Sequence, residues 1–161
     1  MTLTDNNCRL IGTYAVKIGG TITTDEMVAI WKELGGSTND YITQECYPLE
    51  PHPEEEVDIL IFDTDSGFDE ESVLEYLTAS HLERPTHEHA LRFAERHGKT
   101  RDIPKWTVYF YHEATPEPNG TRLIICVCCC FPRFSHKLQL LGADWPITKD
   151  AGVFAAVRRR K

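Results

Sequence analysis

The stretch "KWTVYFYHEATPEPNGTRLIICVCCCF", residues 105–131, decides how the rest of the chain is read. In its first arm Trp106, Val108 and Phe110 alternate with Thr107, Tyr109 and Tyr111, the two-residue period of a strand. In its second arm Ile124, Cys126, Cys128 and Cys130 share one face, and Leu123, Ile125, Val127, Cys129 and Phe131 share the other. Asn119-Gly120 between them tolerates the left-handed backbone of a tight turn. The expectation is a C-terminal β-hairpin over about 105–131. A hairpin is antiparallel by construction, so the sheet is expected to be largely antiparallel.

Four of the six cysteines fall within residues 126–130. On a strand, neighbours at i and i+2 lie roughly 6.6 Å apart and point in parallel, a poor geometry for a disulfide. Zinc would need a Cys-x-x-Cys knuckle and a second pair, and only Cys8 and Cys46 remain, singly placed. The expected state is reduced thiols packed as small hydrophobes. A nucleophilic thiol would need a base. His112 on the facing arm is within geometric reach, and His136 is the other candidate.

Working outward, "CRLIGTYAVKI" reads as a strand and "TTDEMVAIWKELGG" as a helix. Thr23 and Glu26 form its capping box, and Gly35-Gly36 stops it. "VDILIF" reads as a buried strand, "DEESVLEYLTA" and "THEHALRFAERHGK" as helices, and "HKLQLL" and "GVFAAVR" as further strands. The order β-α-β-α-α followed by strands indicates an α+β fold whose sheet is packed by two or three helices. "YPLEPHPEEE", residues 47–56, combines three prolines with an acidic run and reads as an extended connector. The chain is expected to be one domain over residues 1–161, with a possible N-terminal lobe at 1–46.

A formal charge of −8 over 161 residues argues against a general nucleic-acid binder, which needs a concentrated positive field. The basic end, Arg158, Arg159, Arg160 and Lys161, is expected to be a solvated terminus. No run approaches the roughly 18 apolar residues of a membrane span. The N-terminus lacks the basic flank and apolar core of a secretory leader, so the expected compartment is the cytoplasm. His87 and His89 point apart on a helix, and no His-Glu-x-x-His occurs, so no metal site is expected.

"ILIFDTDSGFDEES" is the segment most suggestive of catalysis. An apolar strand running into Asp63-x-Asp65 resembles the first motif of haloacid-dehalogenase-like phosphotransferases. That resemblance implies Asp63 as nucleophile, Asp65 as acid/base, and magnesium screening the phosphate. The position of the motif, 62 residues into the chain, and the hairpins downstream do not match that family's parallel sheet. The competing expectation is that the two aspartates end a strand while Ser66 and Asp69 cap the next helix.

The C-terminal half also resembles short uncharacterised bacterial proteins, through Arg84-Pro85-Thr86, Gly98, Trp145 and Ala155-Ala156-Val157-Arg158. This resemblance implies no activity. The leading expectation is therefore a binding or interaction module without cofactor, directed at a protein partner. Trp106, Tyr109 and Tyr111 are its candidate contact face.

Overall fold

The computed structural model describes residues 2–100, 102–103, 105, 107–117, 119–128 and 136–161. Its elements are β1 (Cys8–Gly20), α1 (Thr24–Glu33), β2 (Ser37–Thr38), β3 (His52–Thr64), α2 (Glu70–Ala79), α3 (His87–His97), β4 (Thr107–Tyr109), β5 (Thr115–Pro116), β6 (Arg122–Cys128), β7 (Lys137–Gly142) and β8 (Gly152–Arg159). All eight strands join one sheet, ordered β1-β3-β8-β4-β6-β7-β2, with β5 paired to β6 beside that path.

Strand alternation sorts the apolar side chains onto two faces. Val57, Ile59, Ile61, Val108, Ile125 and Val153 meet Met27 and Trp31 of α1 and Leu91 and Phe93 of α3. On the opposite face Leu60, Phe62, Ile124, Cys126 and Phe154 meet Val73, Tyr76 and Leu77 of α2. The α+β reading holds, and helices cover both faces. That double cover explains why "ILIF", residues 59–62, is apolar without interruption.

The sheet is mixed, which corrects the expectation of a largely antiparallel one. β4 runs parallel to β8, and β2 runs parallel to β7. The cause is the placement of the last strand. β8 inserts between β3 and β4 at the middle of the sheet, where it pairs antiparallel with one and parallel with the other. Local periodicity reports a strand's faces but not its neighbours, so this insertion left no trace in the pattern.

The hairpin itself is present, in a modified form. β6 pairs antiparallel with β4 and with β5, and the turn closes at Gly120, whose φ is 83°. The Asn119 side-chain oxygen accepts from the Thr121 amide at 3.0 Å. The first arm is a strand only over Thr107–Tyr109, because the His112 amide donates to the Phe110 carbonyl at 2.7 Å. This i→i+2 bond is a γ-type turn that bends the chain out of the ladder.

Residues 47–56 are not a free connector. His52 to Glu56 form the first part of β3, where Glu56 lies opposite Lys17 and Glu55 opposite Ile18 of β1. Residues 1–46 therefore contribute strand β1 to the common sheet and Met27, Trp31 and Ile42 to the common core. The acidic run also answers the basic terminus. Asp58 sits directly across from Arg158, and their side chains pair at 3.3 Å. Arg159 bonds Glu55 and Glu83, and Arg160 bonds Glu56 at 2.7 Å and Asp58 at 2.9 Å. The arginines thus form a cross-strand ladder with the acids and stay exposed to solvent, as expected of the basic end. Exposed pairs of this kind are screened by solvent and contribute little each.

β1 lies at the sheet edge, and α3 covers part of its outer side. His97 bonds the Ala15 carbonyl at 2.8 Å, Glu88 accepts from the Gly19 amide at 2.7 Å, and Arg92 donates to the Gly19 carbonyl at 2.6 Å. These contacts satisfy edge groups that would otherwise be free to recruit another strand.

Candidate functional site

Asp63, at the end of β3, is buried and paired with Arg9 at 3.1 Å and with Lys105. Lys105 also donates to the Thr64 carbonyl at 3.2 Å. Asp65 is exposed, 3.6 Å from the same Arg9 guanidinium. β3 is antiparallel to both of its neighbours. Asp63 therefore ties β1 and the approach to β4 onto the end of β3, and the two carboxylates share a cation instead of flanking an open reaction centre.

The cap of α2 lies one turn later than expected. Asp69 is the N-cap and accepts from the Ser72 amide at 2.8 Å, while Ser72 Oγ accepts from the Asp69 amide at 3.1 Å. The Ser72 amide holds the Asp69 carboxyl below its ordinary value.

The aromatic contact face expected from sequence is interior. Tyr109 and Tyr111 are 7% and 1% exposed and stack with centroids 6.1 Å apart. Phe68 meets both rings edge-on. Burial pushes the Tyr109 phenol up to about 12. The strand's two faces are both covered, so alternation there separates two cores, not a core from a surface. Trp106 lies outside the described residues.

The cysteine strand packs as expected where it is described. Cys126 is buried and free, Cys128 is partly buried and free, and burial raises both thiols. Cys129 and Cys130 lie outside the described residues. Cys8 is buried too, its thiol raised to about 11 by burial and then by Asp5. His112 is no base for these thiols. Its Nε2 accepts from the Ile125 amide at 2.8 Å, and its Nδ1 donates to the Glu113 carbonyl at 2.7 Å. Among the described cysteines, site-resolved alkylation of the native protein should therefore modify exposed Cys46 first, with Cys8 and Cys126 reacting at least about 100-fold more slowly. Fast labelling of Cys126 without denaturant would contradict this packing.

A different surface collects the features of a contact site. The loop at 65–69 meets the strap at 145–148 through a two-residue bridge. The Phe68 amide donates to the Ile147 carbonyl at 2.9 Å, and the Ile147 amide donates back to the Phe68 carbonyl at 2.7 Å. Gly67 makes this approach possible: its φ is 79°, and a Cβ there would lie 2.3 Å from the Ile147 oxygen. Between loop and strap is a cleft of about 260 Å³ lined by Ser66, Phe68, Asp69, Ser72, Pro146, Ile147 and Thr148.

Trp145 begins the strap and is 59% exposed. Its indole rests on Gly142, where a Cβ would come within 2.8 Å of the ring. An ionic chain steadies the arrangement. Arg84 pairs with Glu70 at 2.9 Å, Glu70 also pairs with Arg122, and Arg122 pairs with Asp144 at 2.7 Å. The N-terminus of α2 is thereby fixed to the residue next to Trp145. The sequence had marked both walls, one as an aspartate motif and the other through Trp145. Some 80 positions separate them, and the Phe68–Ile147 bridge and the Glu70–Arg122–Asp144 chain bring them together.

Among the described residues no group of three or more His, Cys, Asp or Glu side chains could hold a metal ion, and no helix is long and apolar enough to cross a membrane. No family model, curated protein or solved structure matches the chain.

Proposed function

We propose that this protein is a cofactor-free interaction module whose contact surface is the cleft between residues 65–69 and 145–148. A partner protein inserts an apolar side chain there, alongside Trp145. The observation that carries this reading is the exposure of Trp145, 59%, immediately before Pro146 of a cleft lined by Phe68, Pro146 and Ile147. An indole left in water at the rim of an apolar depression is the usual form of an interface anchor, because tryptophan supplies large area at low entropic cost. The polar margin of Ser66, Asp69, Ser72 and Thr148 fits the rim of such an interface.

The magnesium-dependent reading through Asp63 and Asp65 gains no comparable support. Asp63 is already held by Arg9 and Lys105, and exposed Asp65 pairs with the same Arg9. The test is selection of displayed random peptides on the immobilised full chain, followed by binding to Trp145→Ala. Enriched peptides should lose at least about tenfold in affinity on the variant, as expected for a buried aromatic anchor, with the melting midpoint unchanged. Peptides that bind the variant equally well would refute the assignment.

A further inference from the structure

We infer that the segment received by this cleft is cationic: an apolar side chain flanked by lysines or arginines. The inference rests on the cleft being a contact surface and adds the chemistry of its occupant. Residues 65–75 contain Asp65, Asp69, Glu70, Glu71 and Glu75 and no Lys, Arg or His. The strap side adds Asp144 and Asp150 against Lys149.

Several of these charges are spent inside the protein. Glu70 is shared by Arg84 and Arg122, Asp144 pairs with Arg122, and Asp65 lies near Arg9. What remains is Asp69 on the cleft wall with exposed Glu71, Glu75 and Asp150, opposed by exposed Lys149. The negative field reaches beneath the floor. The buried Tyr111 hydroxyl has no hydrogen-bond partner among the described residues, and its proton is held by burial, then by Cys126 and Tyr109, and after them by Asp69 and Glu70. An acidic occupant would add its charge to this field, whereas a cationic one relieves it. The whole chain, at −8, steers in the same direction.

The experiment is an array of immobilised twelve-residue peptides, each with one central Leu, Ile, Phe or Trp. The flanks are all Lys, all Arg, all Ser or all Glu. The array is probed with labelled full chain as wild type, Trp145→Ala, and the double variant Glu71→Lys/Asp150→Lys. Lys- and Arg-flanked spots should retain wild type. Their signal should fall about tenfold with the charge-reversed variant and again between 50 and 300 mM salt, since surface charges are screened over about 10 Å or less. Trp145→Ala should lose them as well. If Ser- or Glu-flanked peptides bind as well and still need Trp145, the cationic inference is overturned and the cleft assignment stands. If no spot binds, or if Trp145→Ala binds like wild type, both are overturned.

Discussion

Unfolding at pH 5 should take up nearly two protons that unfolding at pH 8 does not, so stability should fall steeply as the solution is acidified from pH 6.5 toward 4. The groups responsible are His89 and His112, both buried, each with its imidazolium disfavoured by burial so that protonation waits until about pH 4. A histidine with a lowered folded-state value is protonated first in the unfolded chain. Its stabilising contribution is therefore complete above the unfolded value of about 6.5 and is lost as pH falls toward 4. Each group gives a slope of up to about 1.4 kcal/mol per pH unit inside that window, and about 3 kcal/mol across it.

The surroundings do not reverse the sign. Glu88 and Glu55 favour the His89 cation, but burial, Arg159 and His52 oppose it. His87 and Arg84 oppose charging of His112, against the Glu113 carbonyl. His52 works the other way. Its hydrogen bond with Glu88 raises it, so its contribution is present at low pH and is lost as pH rises through its folded value. Urea unfolding between pH 4 and 8 measures the sum. His89→Gln separates the terms, because a glutamine at this helix position can still accept from the Thr86 amide, as His89 Nδ1 does at 2.9 Å. That variant should halve the proton uptake with little loss at pH 8. A wild-type profile that is flat between pH 5 and 6.5 would contradict the burial of both rings.

Trp31→Ala should cost about 3–5 kcal/mol, a large share of the 5–15 kcal/mol that holds a typical domain together. The indole is 1% exposed and donates to the Ser37 carbonyl at 2.8 Å. It is clasped by two glycines from different segments. A Cβ at Gly36 would lie 2.1 Å from the ring, and one at Gly98 would lie 2.5 Å from it. Trp31 thus joins α1, the approach to β2 and the end of α3, and no smaller side chain spans that space. Chemical denaturation of Trp31→Ala and Trp31→Phe at pH 8 gives the comparison, with Phe expected to recover part of the loss. A deficit below about 1 kcal/mol for the alanine variant would mean that the site collapses around the missing ring.

Where sequence and structure agree, the signal is periodic or local. The two faces of β6 follow from the alternation of Ile124 and Cys126 with Ile125 and Val127, which enter opposite cores. The start of α1 follows from Thr23 and Glu26, whose reciprocal cap is formed, with the Thr23 amide donating to the Glu26 carboxylate at 2.7 Å. What was not legible depends on partners distant in the chain. Nothing near "GVFAAVR" says that it will lie between β3 and β4, and nothing near Asp63 names Arg9 or Lys105. Taken alone, the acidic run has the composition of a connector and the basic run that of a solvated end; that each is the counter-charge of the other depends on their pairing across β3 and β8. Tyr109 and Tyr111 misled for a related reason. Alternating aromatics suggest one wet face, but here α2 and the strap close the second face as fully as α1 and α3 close the first.

Amide and indole chemical-shift mapping, with a peptide selected on the full chain titrated into ¹⁵N-labelled protein, locates the contact without presupposing it. Perturbations should centre on the Trp145 indole N–H and on residues 65–69 and 145–148. The amides of β1 and the Trp31 indole should stay in place. Shifts concentrated on the outer edge of β1, or anywhere that leaves the Trp145 indole unmoved, would contradict the proposed contact surface.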